Sequence, residues 1–168
     1  MLDTTVDSVN SALKRARTGL RHHLRPAVGA EPPPAPDSPA EQVLVAKFVR
    51  AYQSGDVDAL LALLTDDVLV SMPPLPLEYQ GHEAVARFFG GMFHRIRNYD
   101  LVPTQANGQP AFGTYLRTAD SGVRHGVGLL VLTLSGDRIS ALTRFENGVL
   151  PWFGLPRSLP AARNPRRD

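Results

Sequence analysis

Cysteine is missing from the whole chain, which excludes disulfide staples, thiolate zinc sites and cysteine nucleophiles. No apolar run approaches the roughly 20 residues that a helix needs to cross a bilayer, so no membrane partner is expected. The first residues, Met1-Leu2-Asp3-Thr4-Thr5, have neither the basic nor the apolar region of a signal peptide, and the cytoplasm is the expected location. No His or acidic residues stand at metal-ligand spacings, so neither metal nor cofactor is expected. An internal repeat is lacking too, and 168 residues suit one domain with appendages.

An excess of charge is absent from the total, a formal +2, but not from its distribution. Lys14, Arg15, Arg17, Arg21 and Arg25 crowd the first segment, and Arg157, Arg163, Arg166 and Arg167 the last. Between Glu41 and Pro156 nine basic residues face eleven acidic ones. Any affinity for nucleic acid therefore belongs to the ends. Residues 25–40, RPAVGAEPPPAPDSPA, hold six prolines in sixteen positions and predict an extended spacer. From residue 157 to 168 there is no apolar periodicity, which predicts a basic disordered tail.

In residues 1–24, Val6, Leu13, Ala16 and Leu20 predict an amphipathic helix capped by Thr4 or Thr5. Residues 41–156 predict the folded domain. Leu44, Phe48, Ala51 and Tyr52 form one helical stripe ended at Ser54-Gly55. Asp56 caps a second helix with Val57, Leu60, Leu61 and Leu64 on its buried side, and Asp66-Asp67 reads as the loop after it. Val68 and Val70 predict a short strand, and Met72-Pro73-Pro74-Leu75-Pro76 an irregular loop. A third helix follows on Val85, Phe88, Phe89, Met92, Phe93 and Ile96. Four strands, near 99–104, 110–117, 124–134 and 138–146, are separated by Asn107-Gly108, Asp120-Ser121-Gly122 and Ser135-Gly136-Asp137. The plan is α+β: three N-terminal helices packed on a curved antiparallel sheet, leaving a pocket at the open end.

Two stretches of this plan resemble known families. VAKFVRAYQSGDVDALLALLTDDVLVSMPP is similar to the opening of the SnoaL-like and ketosteroid-isomerase-like superfamily, where a helix ends at Gly-Asp, a second runs into Asp-Asp, and a strand follows. LVPTQANGQPAFGTYLR with the closing FGLP resembles, more narrowly, the C-terminal SnoaL-like domain of actinobacterial extracytoplasmic-function RNA polymerase sigma factors. LDTTVDSVNSALKRARTGLRHHL is similar to the last helix of sigma region four. The resemblance implies a SnoaL-like cone behind a remnant of a DNA-binding helix. It also implies that the core-polymerase-binding region and the partner helix of the helix-turn-helix are missing, so the chain is not expected to act as a sigma factor by itself. A recognition helix reads bases only when its partner holds it in register. Lys14, Arg15 and Arg17 are then either residual phosphate contacts or a solvated basic face.

For the domain, the resemblance implies a binding cavity. Ketosteroid isomerase uses a tyrosine and a protonated aspartic acid as oxyanion donors and an aspartate as base. Aligned on the shared Gly-Asp and Asp-Asp, the tyrosine falls on Phe48, the base on Met72, and the donor acid near Leu129 or Leu130. That chemistry is not expected here. Phe48, Tyr52, Met72, Tyr79, Tyr115 and Trp152 are the candidate ligand contacts, with Tyr79 presented by the proline loop. Trp152 and Phe153 form either a flap over the pocket or the cover of a core edge. If the chain is an enzyme, Arg144, Glu146 and His125 are the catalytic candidates. Arg144 and Glu146, two apart on the last strand, would share a face as an acid-base or anion-binding couple, or else form a surface ion pair. His125 would be a proton shuttle or a structural histidine, and His94 lies toward the polar side of its helix.

The reading is a small-ligand-binding regulatory domain of a sigma-factor-type protein, taking an apolar or aromatic molecule. RNA polymerase and promoter DNA are expected as partners only in a full-length relative, and a homodimer remains possible. The alternative is a stand-alone cofactor-independent cyclase, hydrolase or isomerase of secondary metabolism.

Overall fold

The computed structural model of the chain describes residues 31–96, 99–117 and 122–160. The expected N-terminal helix, with Lys14, Arg15 and Arg17, lies outside them. Helix α1 spans Pro39–Ser54. It starts inside the expected spacer because proline is tolerated in a first helical turn, where its missing N–H has no partner to lose. The Ser38 hydroxyl accepts from the Glu41 N–H at 3.3 Å, and the Glu41 carboxylate returns to the Asp37 N–H at 3.0 Å. Gly55, at φ +70°, closes the helix in the left-handed conformation. Helix α2, Val57–Leu61, is capped by the Asp56 carboxylate on the Ala59 N–H at 2.9 Å.

Leu64, expected on α2, instead opens β1, Leu64–Ser71, which places Asp66 and Asp67 within the strand. The proline loop returns through a short β2, Glu78–Gln80, to α3, Gly81–Arg95. Strands β3 (Tyr99–Ala106), β4 (Gln109–Arg117), β5 (Arg124–Ser135) and β6 (Arg138–Phe145) follow. A 3-10 helix, Asn147–Phe153, leads into β7, Ser158–Leu159. The sheet order is β2-β1-β6-β5-β4-β3, with β7 beside the start of β5. The sheet is antiparallel as expected apart from one pairing, β1 running parallel to β6. The expected end of the domain needs correction. The domain passes Pro156: β7 pairs with Arg124 and His125, and the Gly126 N–H donates to the Arg157 carbonyl at 2.8 Å, so residues 157–159 are not a disordered tail.

Alternation along the strands divides the core in two. Phe112, Leu130, Leu132 and Leu142 face α1 and α3 in the main core, with Phe48, Leu60, Val85 and Phe89. Ala111, Leu129 and Val131 face the other way, under Leu150 and Leu155 from the 3-10 segment. One irregularity breaks the alternation. Thr114 pairs with Gly128 but Tyr115 with Gly126, so Val127 is an extra residue, a β-bulge. Gly126 and Gly128 therefore lie on opposite faces: a methyl on Gly126 would strike Leu150, and one on Gly128 would reach Arg144.

Candidate functional site

The inner face is mostly filled by rings. Tyr52 meets Phe48, Phe89, Phe93 and Tyr99 at centroid distances of 5.6, 6.0, 5.3 and 5.6 Å, and Phe48 stacks on Phe112 at 6.0 Å. Such packing holds α1 and α3 against the sheet and makes this end of the cone a core. Phe48 and Met72, expected from the resemblance at the isomerase tyrosine and base positions, are both buried in it. Of the two leucines near the donor-acid position, Leu130 faces inward and Leu129 outward.

Where β6 ends, the inner face becomes polar. Arg144 pairs with Leu130 and stands two residues past Leu142, so it projects from the helix side of the sheet. The bulge at Val127 leaves a carbonyl to which the Arg144 guanidinium donates at 2.7 Å. The missing side chain of Gly128 makes room for it: a methyl there would lie 3.4 Å from both Nε and the terminal nitrogen. Beneath it the buried Thr114 hydroxyl donates to the Gly128 carbonyl at 2.9 Å. Among the described residues no carboxylate lies within ion-pair distance of Arg144. Burial pushes the Tyr52 phenol well above its ordinary range; the Tyr99 phenol beside it adds to this, and the Arg144 charge opposes it. Burial also raises Tyr99, again against Arg144. Both hydroxyls stay protonated at neutral pH, and among the described residues the Tyr52 hydroxyl has no hydrogen-bond partner.

The other candidates are not gathered here. Glu146 lies beyond the end of β6, exposed, at the N-cap of the 3-10 helix, so it does not share a strand face with Arg144. His125 is exposed on the rung between β5 and β7, its Nδ1 3.2 Å from the Ser158 hydroxyl. Tyr115 is fully buried on the outer face, its hydroxyl donating to the Pro156 carbonyl at 2.7 Å. This corrects its expected place in the cavity lining; it anchors the C-terminal segment instead. Trp152 is 83% exposed on the 3-10 helix, whose Leu150 and Phe153 pack on the outer face, so no flap closes over the inner one. Tyr79 is half-buried and stacks on Phe88 at 4.6 Å, at the edge of the main core. His94 is exposed beside a surface cleft of about 270 Å³ that Gly55, Val57 and Phe93 also line. Among the described residues no group of three or more His, Asp or Glu side chains could hold a metal ion.

Three residues at this site escaped the sequence reading: Tyr99, Thr114 and Gly128. Tyr99 alternates with Leu101, a signal that could have placed it inward. Gly128 carries no such signal, because its face depends on the bulge.

Comparison with known proteins agrees with this architecture. Residues 45–146 match the SnoaL-like domain family. The chain is 37% identical over 161 residues to the ECF RNA polymerase sigma factor SigG of Mycobacterium tuberculosis. That match takes in 94% of this chain but 42% of SigG, so the chain spans less than half of that relative's length. Two solved structures share the fold at 19% identity. A candidate ketosteroid isomerase from Kribbella flavida matches with a TM-score of 0.52, over 79% of this chain and 86% of that one. An LEH-like epoxide hydrolase of M. tuberculosis matches with a TM-score of 0.51, over 66% and 85%.

Proposed function

This chain belongs to the SnoaL-like domain family, and from that premise we propose that it is a small-ligand-binding regulatory domain of a sigma-factor-type protein, not an enzyme. The observation that carries the reading is the division of the inner face. The positions aligned with the isomerase tyrosine and base are the buried Phe48 and Met72, which can move no proton. Next to that core, Arg144 and the hydroxyls of Tyr52 and Tyr99 retain polar groups around which a ligand could be held. A cyclase, hydrolase or isomerase would need a base within reach of its acid. Arg144, Glu146 and His125 are dispersed, and neither Glu146 nor His125 is buried. Similarity to a sigma factor across nearly the whole chain supports the regulatory half of the reading. RNA polymerase and promoter DNA would be partners of a longer relative that also carries the regions this match does not span.

The test is a thermal-melt panel of apolar and aromatic small molecules, with each compound recovered and weighed by mass spectrometry afterwards. The reading expects compounds that raise the melting midpoint and come back unchanged. A compound that stabilises the chain and is recovered as a cyclised, hydrated or isomerised product would overturn it in favour of an enzyme.

A further inference from the structure

The polar end of the inner face carries a cation, Arg144. Arg144 carries five N–H groups, of which one terminal nitrogen is engaged, by the Val127 carbonyl. The guanidinium is half-buried and has no carboxylate partner among the described residues. A cation withdrawn from water is costly unless it is paired. The Tyr52 and Tyr99 phenols, whose rings meet at 5.6 Å and which both feel the Arg144 charge, are protonated and can each donate one hydrogen. Glu146, the acid nearest in sequence, is turned to solvent beyond the strand end. Apolar surface adjoins Arg144 in Leu130, its partner on β5, and Leu142, two residues before it, and Met72 follows Ser71, whose strand partner is Thr143, so the proline loop leaves the sheet next to Arg144. A cation flanked by two neutral phenols and next to apolar surface complements an acceptor anion on an apolar body; a cationic molecule would be repelled.

We propose that Arg144, with the hydroxyls of Tyr52 and Tyr99, holds the carboxylate of an amphipathic ligand whose aromatic or aliphatic body lies against the apolar inner face. This inference rests on the ligand-binding reading above and deepens it by naming the ligand's charge.

The experiment uses the full chain and two fluorescent molecules of one skeleton, 1-anilinonaphthalene-8-sulfonate and its uncharged counterpart N-phenyl-1-naphthylamine, with decanoate and decanol as competitors. The anionic dye should bind about ten-fold more tightly than the neutral one, and decanoate should displace it where decanol does not. Arg144→Gln should weaken the anionic dye by about ten-fold while leaving the neutral dye within about two-fold, which also reports that the variant is folded. Tyr99→Phe, which keeps the ring, should weaken the anionic dye by about three-fold. Equal affinity for the two dyes, unchanged by Arg144→Gln, would overturn the inference and leave the ligand-binding reading standing. Failure of both dyes and both competitors to bind would bring down that reading and the inference with it.

Discussion

At the scale of single residues, the site depends on what is absent at Gly128. A methyl there would lie 2.5 Å from the Phe145 carbonyl oxygen and 3.4 Å from the Arg144 Nε. Backbone cannot retreat as a flexible side chain can, so Gly128→Ala should destabilise the fold by about 1–3 kcal/mol, read from the urea midpoint. It should also weaken anionic-dye binding, because Arg144 loses its seat. Tyr52 makes a prediction in pH. Below pH 10 its phenol is protonated in both folded and unfolded chains, and its contribution to stability is constant. Above the ordinary value of 10.0 the unfolded chain loses the proton first, since burial raises the folded group. The unfolded state then binds fewer protons, so stability falls as pH rises. Tyrosinate absorbance at 295 nm should therefore show a late step that coincides with unfolding and is smaller in Tyr52→Phe, where Tyr99 and Tyr115, also raised by burial, remain. With no partner for the hydroxyl among the described residues, the same variant should change stability little at pH 7.

At the scale of elements, the end of the domain was misplaced by reading residues 157–168 for apolar periodicity. A two-residue strand has too few positions to show any. What holds β7 is backbone pairing with β5, the Gly126 N–H on the Arg157 carbonyl, and the Arg124 guanidinium on the Pro160 carbonyl at 3.2 Å. A chain ending at Pro156 should lose about 1–3 kcal/mol relative to one ending at Pro160, seen as a lower denaturation midpoint. Equal midpoints would mean that β7 adds nothing to the fold. The helices were more legible. Ser38, Gly55 and Asp56 act on backbone groups no more than five residues away, so their chemistry is written locally. The parallel β1–β6 pairing joins residues some seventy positions apart, and no local signal records it.

At the scale of the whole molecule, the basic first segment predicts how the chain meets DNA. If Lys14, Arg15 and Arg17 are residual phosphate contacts, their charge gives affinity without base readout. Affinity for a short duplex should fall steeply between about 50 and 200 mM salt and should not distinguish one sequence from another. A sequence-selective complex that persists at about 200 mM salt would contradict this.

The sequence by itself determined the α+β plan, the order of the three helices and of the five longer strands, and the caps at Gly55 and Asp56, because each depends on residue type or on contacts a few positions apart. Only the tertiary structure decided which strand face is inside. Tyr115, named as a pocket residue, went to the outer face beneath Leu150 and Leu155, whereas Arg144 went inward. Alternation with period two states that neighbours point oppositely, not which of them meets the helices. One bulged residue, Val127, then reverses the phase between Gly126 and Gly128. The candidate ligand site lies at that reversal, where a freed carbonyl and a missing side chain seat the guanidinium.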